Sequence, residues 1–169
     1  METDRLLIRP MAGDDEVPFI SGIADRSLRI SYGFPPEMDS TVPPRIFRRF
    51  REMKTAYSLL DRQAGTMIGF LLDVEPELPE EIRLPGKGRT LAFAVFPSFQ
   101  RRGCMQEALK AYISFLFRET ETEYIHCGHF PDNEPCRKLL TRLGFHDYSG
   151  HTVEGRAVTD KILFRSAGR

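Results

Sequence analysis

Residues 91–116 read LAFAVFPSFQRRGCMQEALKAYISFL, and this stretch decides the fold. Leu91 to Phe96 is apolar throughout and closes at Pro97, the pattern of a strand buried on both faces. From Met105 the apolar positions are Met105, Ala108, Leu109, Tyr112, Ile113 and Leu116, the i, i+3, i+4, i+7, i+8 stripe of an amphipathic helix. Between them lies the polar loop Pro97-Ser98-Phe99-Gln100-Arg101-Arg102-Gly103-Cys104. A strand feeding a helix through a glycine-bearing loop aims unpaired backbone N–H groups and the positive end of a helix dipole at one place, which suits an anion. Arg101 and Arg102 add positive charge there. The same residues also read as an ordinary strand–helix connection with a solvated basic turn.

Outward from this core the chain alternates strands and helices. Leu6 to Ile8 reads as a first strand that stops at Pro10, where a backbone donor is lost. Asp14, Asp15 and Glu16 suit a helix start. Pro43 to Met53 reads as a helix with Ile46, Phe47, Phe50 and Met53 on one stripe. Tyr57 to Leu60 and Met67 to Leu72 read as strands joined near Gln63-Ala64-Gly65. Downstream, Tyr124 to Phe130 reads as a strand. Asn133 then caps a helix, with Pro135 in its first turn and Cys136, Leu139, Leu140 and Leu143 on its buried stripe. Gly144 ends it, Phe145 opens another strand, and a last strand runs from Lys161 to Phe164. The fold class expected is mixed α/β.

Composition narrows the function. The 169 residues fit one domain. Lys+Arg and Asp+Glu are 24 each, so neither net charge nor a long basic run drives nucleic-acid or acidic-membrane binding. No apolar run approaches the roughly 20 residues of a membrane span, and Leu6-Leu7-Ile8 is too short for a signal-peptide core. Three cysteines without C-x-x-C spacing fit a reduced, cytoplasmic setting. Pro85-Gly86-Lys87-Gly88-Arg89-Thr90 lacks the spacing of a phosphate loop. His126 and His129 are an odd number apart on one strand, so they face opposite sides and hold no common metal; each is expected half-exposed. No metal is expected.

Three motifs in order carry a resemblance. Gln100-Arg101-Arg102-Gly103-Cys104-Met105-Gln106-Glu107-Ala108 resembles the acetyl-CoA pyrophosphate loop, Q/R-x-x-G-x-G/A, of the GCN5-related N-acetyltransferases (GNAT). Asn133-x-x-Cys136 through Leu143-Gly144-Phe145 resembles the N-x-x-S…L-G-F block of the branch that includes the ribosomal-protein alanine acetyltransferases. Thr3 to Pro10 is similar to that branch's first strand. The resemblance implies a single acyl-CoA N-acyltransferase domain over residues 1–169, with a mixed, mostly antiparallel central sheet splayed at the cofactor and flanked by helices.

The resemblance also implies site residues. Acetyl-CoA is the acyl donor. Its pyrophosphate meets Gln100, Arg101, Arg102, Gly103, Cys104, Met105 and Gln106, chiefly through backbone amides. Backbone groups of Val95, Phe96 and Pro97 pair with the pantetheine arm, Asn133 meets it from the opposite side, and Arg137 lies toward the nucleotide end. Met105 replaces a small residue of the motif and fits if its side chain enters the core. The family's tyrosine falls at Leu140, which cannot donate a proton, and its serine at Cys136, which can. Cys136 therefore stands as the catalytic candidate under three readings: a small packed hydrophobe, an S–H donor to the departing thiolate, or an acyl-accepting nucleophile activated by the helix terminus.

Thr90 stands where family members carry a strand glutamate, leaving Asp73, Glu75, His126 and His129 as candidate bases. A weak base favours an α-amine, about a tenth neutral at pH 7, over a lysine side chain. The acceptor is thus a protein N-terminus or a small-molecule amine, with no membrane or nucleic-acid partner and a homodimer left open. Glu75, Glu77, Glu80 and Glu81 read either as a solvated connection or as an acidic rim for a cationic acceptor. The alternative to an enzyme is a CoA-binding or protein-interaction module without turnover.

Overall fold

The computed structural model describes residues 1–76, 84 and 86–166. Among these, seven strands form one sheet in the order β1-β2-β3-β4-β5-β7-β6. They are β1 (Leu6–Pro10), β2 (Ala56–Asp61), β3 (Met67–Val74), β4 (Lys87–Val95), β5 (Thr122–His129), β6 (His146–Val153) and β7 (Arg156–Phe164). The helices are α1 (Glu16–Gly22), α2 (Arg26–Tyr32), α3 (Val42–Glu52), α4 (Cys104–Glu119) and α5 (Glu134–Arg142). The β1–β2, β2–β3, β5–β7 and β6–β7 pairs are antiparallel, and β4–β5 is parallel. This is the mixed, mostly antiparallel sheet with flanking helices that the sequence leads one to expect.

The chain divides into two compact units, residues 1–72 with 93–108 and residues 73–92 with 109–169. The first is built on aromatic packing. Phe70 of β3 is fully buried, with ring centroids of Phe19 at 5.4 Å, Tyr32 at 5.0 Å, Phe50 at 5.6 Å and Phe96 at 6.4 Å. These tilted and edge-on geometries are the favourable ones for aromatic quadrupoles. Phe96 is thereby fixed at the end of β4, where its N–H donates to the Ile68 carbonyl (2.8 Å). Gly69 permits this approach, since a Cβ there would run into the Ala94 carbonyl oxygen.

Asp15 is the buried anion of this unit. It accepts from Arg9 (2.7 and 2.8 Å), the Ala12 N–H (2.8 Å) and the Ser58 hydroxyl (2.6 Å). Burial alone would raise its carboxyl, but these donors more than reverse that and leave it below the usual range. A carboxyl depressed by folding stabilises the fold above its unfolded value, near 3.9, and that contribution is lost as pH falls through the folded value. Asp15→Asn is expected to cost about 2 kcal/mol at neutral pH, short of a fully buried pair because Arg9 is partly exposed. Urea melts at neutral pH and at about pH 3 should show the variant and parent converging in acid; a gap unchanged by acid contradicts this assignment.

In the second unit the parallel ladder runs from Lys87↔Thr122 to Thr90↔His126, and β4 continues beyond it as Leu91 to Val95. Asp73 is buried, accepting from Arg89 Nε (2.5 Å) and the Tyr112 hydroxyl (2.8 Å).

Three expectations need correction. The strand expected from Leu91 begins at Lys87, and Ala92 to Val95 are half-buried rather than buried on both faces. On α5 only Leu140 is fully buried, while Cys136, Leu139 and Leu143 are half-buried, because a helix of nine residues turns one narrow edge inward. The last strand starts at Arg156, where Glu154 and Gly155 in left-handed conformations close a β6–β7 hairpin.

Candidate active site

The loop between β4 and α4 is shaped by two residues in left-handed backbone conformation, Arg101 (φ 61) and Gly103 (φ 75). A glycine takes this geometry without cost, whereas Arg101 takes it with some strain. Successive turns of this kind converge backbone N–H groups into an anion-binding concavity. In α4 the bond from the Glu107 N–H to the Gly103 carbonyl (3.1 Å) opens the helical ladder, so the amides of Cys104, Met105 and Gln106 precede it. Arg101, Arg102 and Gly103 are exposed, and Met105 is buried, so the side chain that departs from the motif does turn inward.

A clamp that the sequence did not reveal holds this loop. Glu107 accepts from the Thr3 hydroxyl (2.6 Å), the Arg5 N–H (2.9 Å) and Arg5 Nε (2.7 Å), while Arg5 Nη1 donates to the Arg102 carbonyl (2.8 Å). The partners stand about a hundred residues apart in sequence, so no local pattern announces them. Arg102 also lies over the Phe99 ring at 5.5 Å.

The groups expected to meet a pantetheine arm are largely engaged within the loop. Gln100 Nε2 donates to the Val95 carbonyl (3.0 Å), the Phe96 carbonyl accepts from Phe99 N–H (2.9 Å), and the Pro97 carbonyl accepts from Gln100 N–H (3.3 Å). Gln100 therefore braces the loop from its own side chain.

In the second unit Asn133 caps α5 as its sequence position implies, its Oδ1 accepting from the Cys136 N–H (3.2 Å). Burial pushes the Cys136 thiol up to about 12, and the Lys161 ammonium offsets this only partly. Burial thus moves the thiol in the direction opposite to the one the acyl-accepting reading needs and favours its protonated form. Arg137 is held by Glu134 through two bonds of 2.6 Å and is exposed. Leu140 is fully buried.

The candidate bases separate clearly. Asp73 is tied to Arg89 and Tyr112, and Glu75 is exposed and paired with Arg89 (2.5 Å). His126 and His129 are both buried rather than half-exposed, because β5 is an interior strand covered on both faces. His129 Nδ1 donates to the Phe130 carbonyl (2.9 Å). His126 bonds to Thr90 and Asp160. Of the acidic run, Glu77, Glu80 and Glu81 lie outside the described residues. Among the described residues no cluster of His, Cys, Asp and Glu has the makings of a metal site, and no helix is long and apolar enough to cross a membrane.

Strand order, loop and helix together have the architecture of an acetyltransferase. The chain belongs to the GNAT family: the model described as "Acetyltransferase (GNAT) domain" matches residues 5–146. It is an acyltransferase. Comparison with curated proteins finds no match. Among solved structures, a GNAT-family acetyltransferase from Bacillus anthracis aligns with a TM-score of 0.81 at 14% identity, covering 99% of both chains. The ribosomal-protein-S5-alanine acetyltransferase of Vibrio fischeri aligns with a TM-score of 0.74 at 15% identity, over 98% of this chain and 96% of that one. Spermidine N-acetyltransferase from Vibrio cholerae, solved with CoA and spermine, aligns with a TM-score of 0.76 at 14% identity, over 97% and 98%. At these identities the likeness is one of fold.

Proposed function

We propose that this chain is an N-acetyltransferase that moves an acetyl group from acetyl-CoA to a primary amine, by direct transfer in a ternary complex. The observation that carries the reading is the mouth of α4. There the amides of Cys104, Met105 and Gln106 precede the helical ladder, beside the left-handed Arg101 and Gly103. That is the chemistry a pyrophosphate requires. Acetyl-CoA supplies an activated thioester when bound. Arg101, Arg102 and Gly103 would cradle its diphosphate. The family model runs through segments of both compact units, which supports residues 1–169 acting as one acyltransferase domain.

Cys136 enters as a proton donor to the departing thiolate. Burial keeps the thiol protonated, so its S–H stays available to hydrogen-bond the departing thiolate and it is poorly suited to attacking a thioester. The acceptor fits a protein N-terminal α-amine or a small-molecule amine; the Vibrio fischeri relative is named for an alanine of ribosomal protein S5 and the Vibrio cholerae relative for spermidine. Three free cysteines fit a cytoplasmic setting.

Cys136→Ser is expected to keep kcat within about threefold, and Cys136→Ala to lower it about tenfold or more, as loss of general-acid help implies. Total loss in the serine variant together with a trapped acetyl-enzyme would overturn direct transfer. The cofactor reading is tested by calorimetric titration of acetyl-CoA and CoA into the protein. A micromolar Kd for both supports it; absence of binding refutes it.

A further inference from the structure

Transfer to an amine requires a group that takes a proton from the nucleophile. Asp73 and Glu75 are poor choices, since Arg89 bonds to both and Tyr112 donates to the second oxygen of Asp73. His129 spends its Nδ1–H on the Phe130 carbonyl, and its Nε2 is buried.

His126 stands in a different arrangement. Its Nε2 is 2.9 Å from Asp160 Oδ1, and its Nδ1 is 3.1 Å from Thr90 Oγ1. An ionised carboxylate only accepts, so Nε2 carries the hydrogen and Nδ1 presents a lone pair to which the Thr90 hydroxyl donates. Asp160 is buried, and its second oxygen accepts from the Ser149 hydroxyl (3.0 Å) and His151 Nδ1 (2.8 Å). Burial works to raise the Asp160 carboxyl, yet His151, His126 and Ser149 together hold it below the usual range, so it stays ionised. Thr90 is half-buried and is the last position of β4 in register with β5. Among the described residues, the titratable groups along the face of His126 include Asp160 on β7, His151 reached through Asp160 on β6, His146 in the same row across Ile162, and Tyr124 two residues along β5. A hydroxyl, an imidazole and a carboxylate in hydrogen-bonded series form the arrangement that activates a proton-transfer partner.

We propose that Thr90, His126 and Asp160 form the proton-accepting relay of the transfer, with Ser149 and His151 orienting Asp160. This rests on the reading of the chain as an amine acetyltransferase and deepens it. The bound acceptor's ammonium passes one proton to Thr90 Oγ1, whose own hydrogen moves to His126 Nδ1, and the neutral amine nitrogen so formed bonds to the thioester carbonyl carbon with loss of a second N–H proton. The C–S bond breaks with its electron pair on sulfur. The thiolate then takes up one proton and the imidazolium releases one. The products are the amide, the CoA thiol and the relay in its starting state. Thr90 is the group that meets the amine, while His126 and Asp160 are positioning residues that act through it.

The test compares the parent with Thr90→Val, Thr90→Ser and His126→Gln, measuring kcat/KM from about pH 6.5 to 9.5 with acetyl-CoA and two probes, an alanyl-terminated peptide and spermidine. The acetyl-CoA Kd of each protein is measured beside it. Near pH 7 the valine and glutamine variants should lose about 100-fold, with Kd unchanged and the serine variant recovering most of the loss. The deficit should shrink as pH nears the amine pKa, because solvent then supplies neutral amine. Thr90→Val removes a single hydroxyl and is the smaller change, so a urea melt of each variant shows which of them is folded. A folded Thr90→Val that binds acetyl-CoA and keeps half the parent's rate overturns the relay, as does a deficit that pH does not alter. A parent that binds acetyl-CoA but acetylates neither probe overturns the amine reading, and the relay with it.

Discussion

Phe70→Ala is expected to destabilise the protein by about 4 kcal/mol, within the 3–5 kcal/mol typical of deleting a buried phenylalanine. Phe70 is fully buried, and Phe19, Tyr32, Phe34, Phe50 and Phe96 place ring centroids within 6.4 Å of its own. Rings ranged around the vacated volume cannot collapse into it without losing their mutual edge-on contacts, so the cavity persists and the cost lies high in the range. A domain stable by about 5–15 kcal/mol would be left marginal. Urea melts should show the lower midpoint with an unchanged slope, and Phe70→Leu should recover more than half of the loss. The consequence reaches function, because Phe96 begins the loop that leads to α4 and packs against Phe70 and, edge to backbone, against Gly22. A loss below about 1.5 kcal/mol for the alanine variant would contradict this account of the core.

The second large effect concerns Gly103→Asp, expected to weaken acetyl-CoA binding at least 100-fold, or about 2.7 kcal/mol. Gly103 sits at φ 75, and a Cβ there would meet only Arg5 Nη2 at 3.5 Å. The fold therefore survives the substitution with modest strain. A carboxylate at this position, however, accepts from the amides that open α4 and sets a fixed negative charge where the pyrophosphate would lie. Gly103→Ala carries the strain without the charge, so a loss of no more than about fivefold separates the two causes. Calorimetric titration with acetyl-CoA checks both variants. Equal weakening in both would assign the effect to backbone strain, and no weakening in either would remove the loop from the cofactor site.

The parts of the fold legible in the sequence are those where one physical signal dominates. The β4–loop–α4 segment shows a continuous apolar run, a proline and a clean helical stripe. The cap at Asn133 and the stop at Gly144 are short-range chemistry, and both stand in the structure with the expected hydrogen bonds. The β6–β7 hairpin was harder to see. The strand expected to open at Phe145 is present as His146–Val153, but it is polar and largely exposed, so neither alternation nor hydrophobicity marks its length or its pairing. α2 is a short helix announced only by the Asp25 cap, whose carboxylate accepts from Leu28 N–H (2.7 Å).

The candidate site divides the same way. The anion loop is local and was readable. The Arg5–Glu107 clamp and the Thr90–His126–Asp160 series join residues about a hundred and more than thirty positions apart, and they meet only through the strand order β4-β5-β7 and the packing of the chain's beginning on α4. The protonated state of Cys136 is likewise hidden, since it depends on burial that prevails over the opposing Lys161 ammonium of a distant strand.

The central claim is acetyl transfer from acetyl-CoA to an amine, and the most direct measurement follows free-thiol release while mass spectrometry identifies the acetylated product. The reaction would contain the purified protein, acetyl-CoA, an alanyl-terminated peptide and spermidine. The account predicts thiol release that depends on an amine, with one acetyl group appearing on that amine for each thiol formed. Acetyl-CoA that binds but yields neither thiol nor acetylated amine would contradict it and mark the chain as a CoA-binding module without turnover.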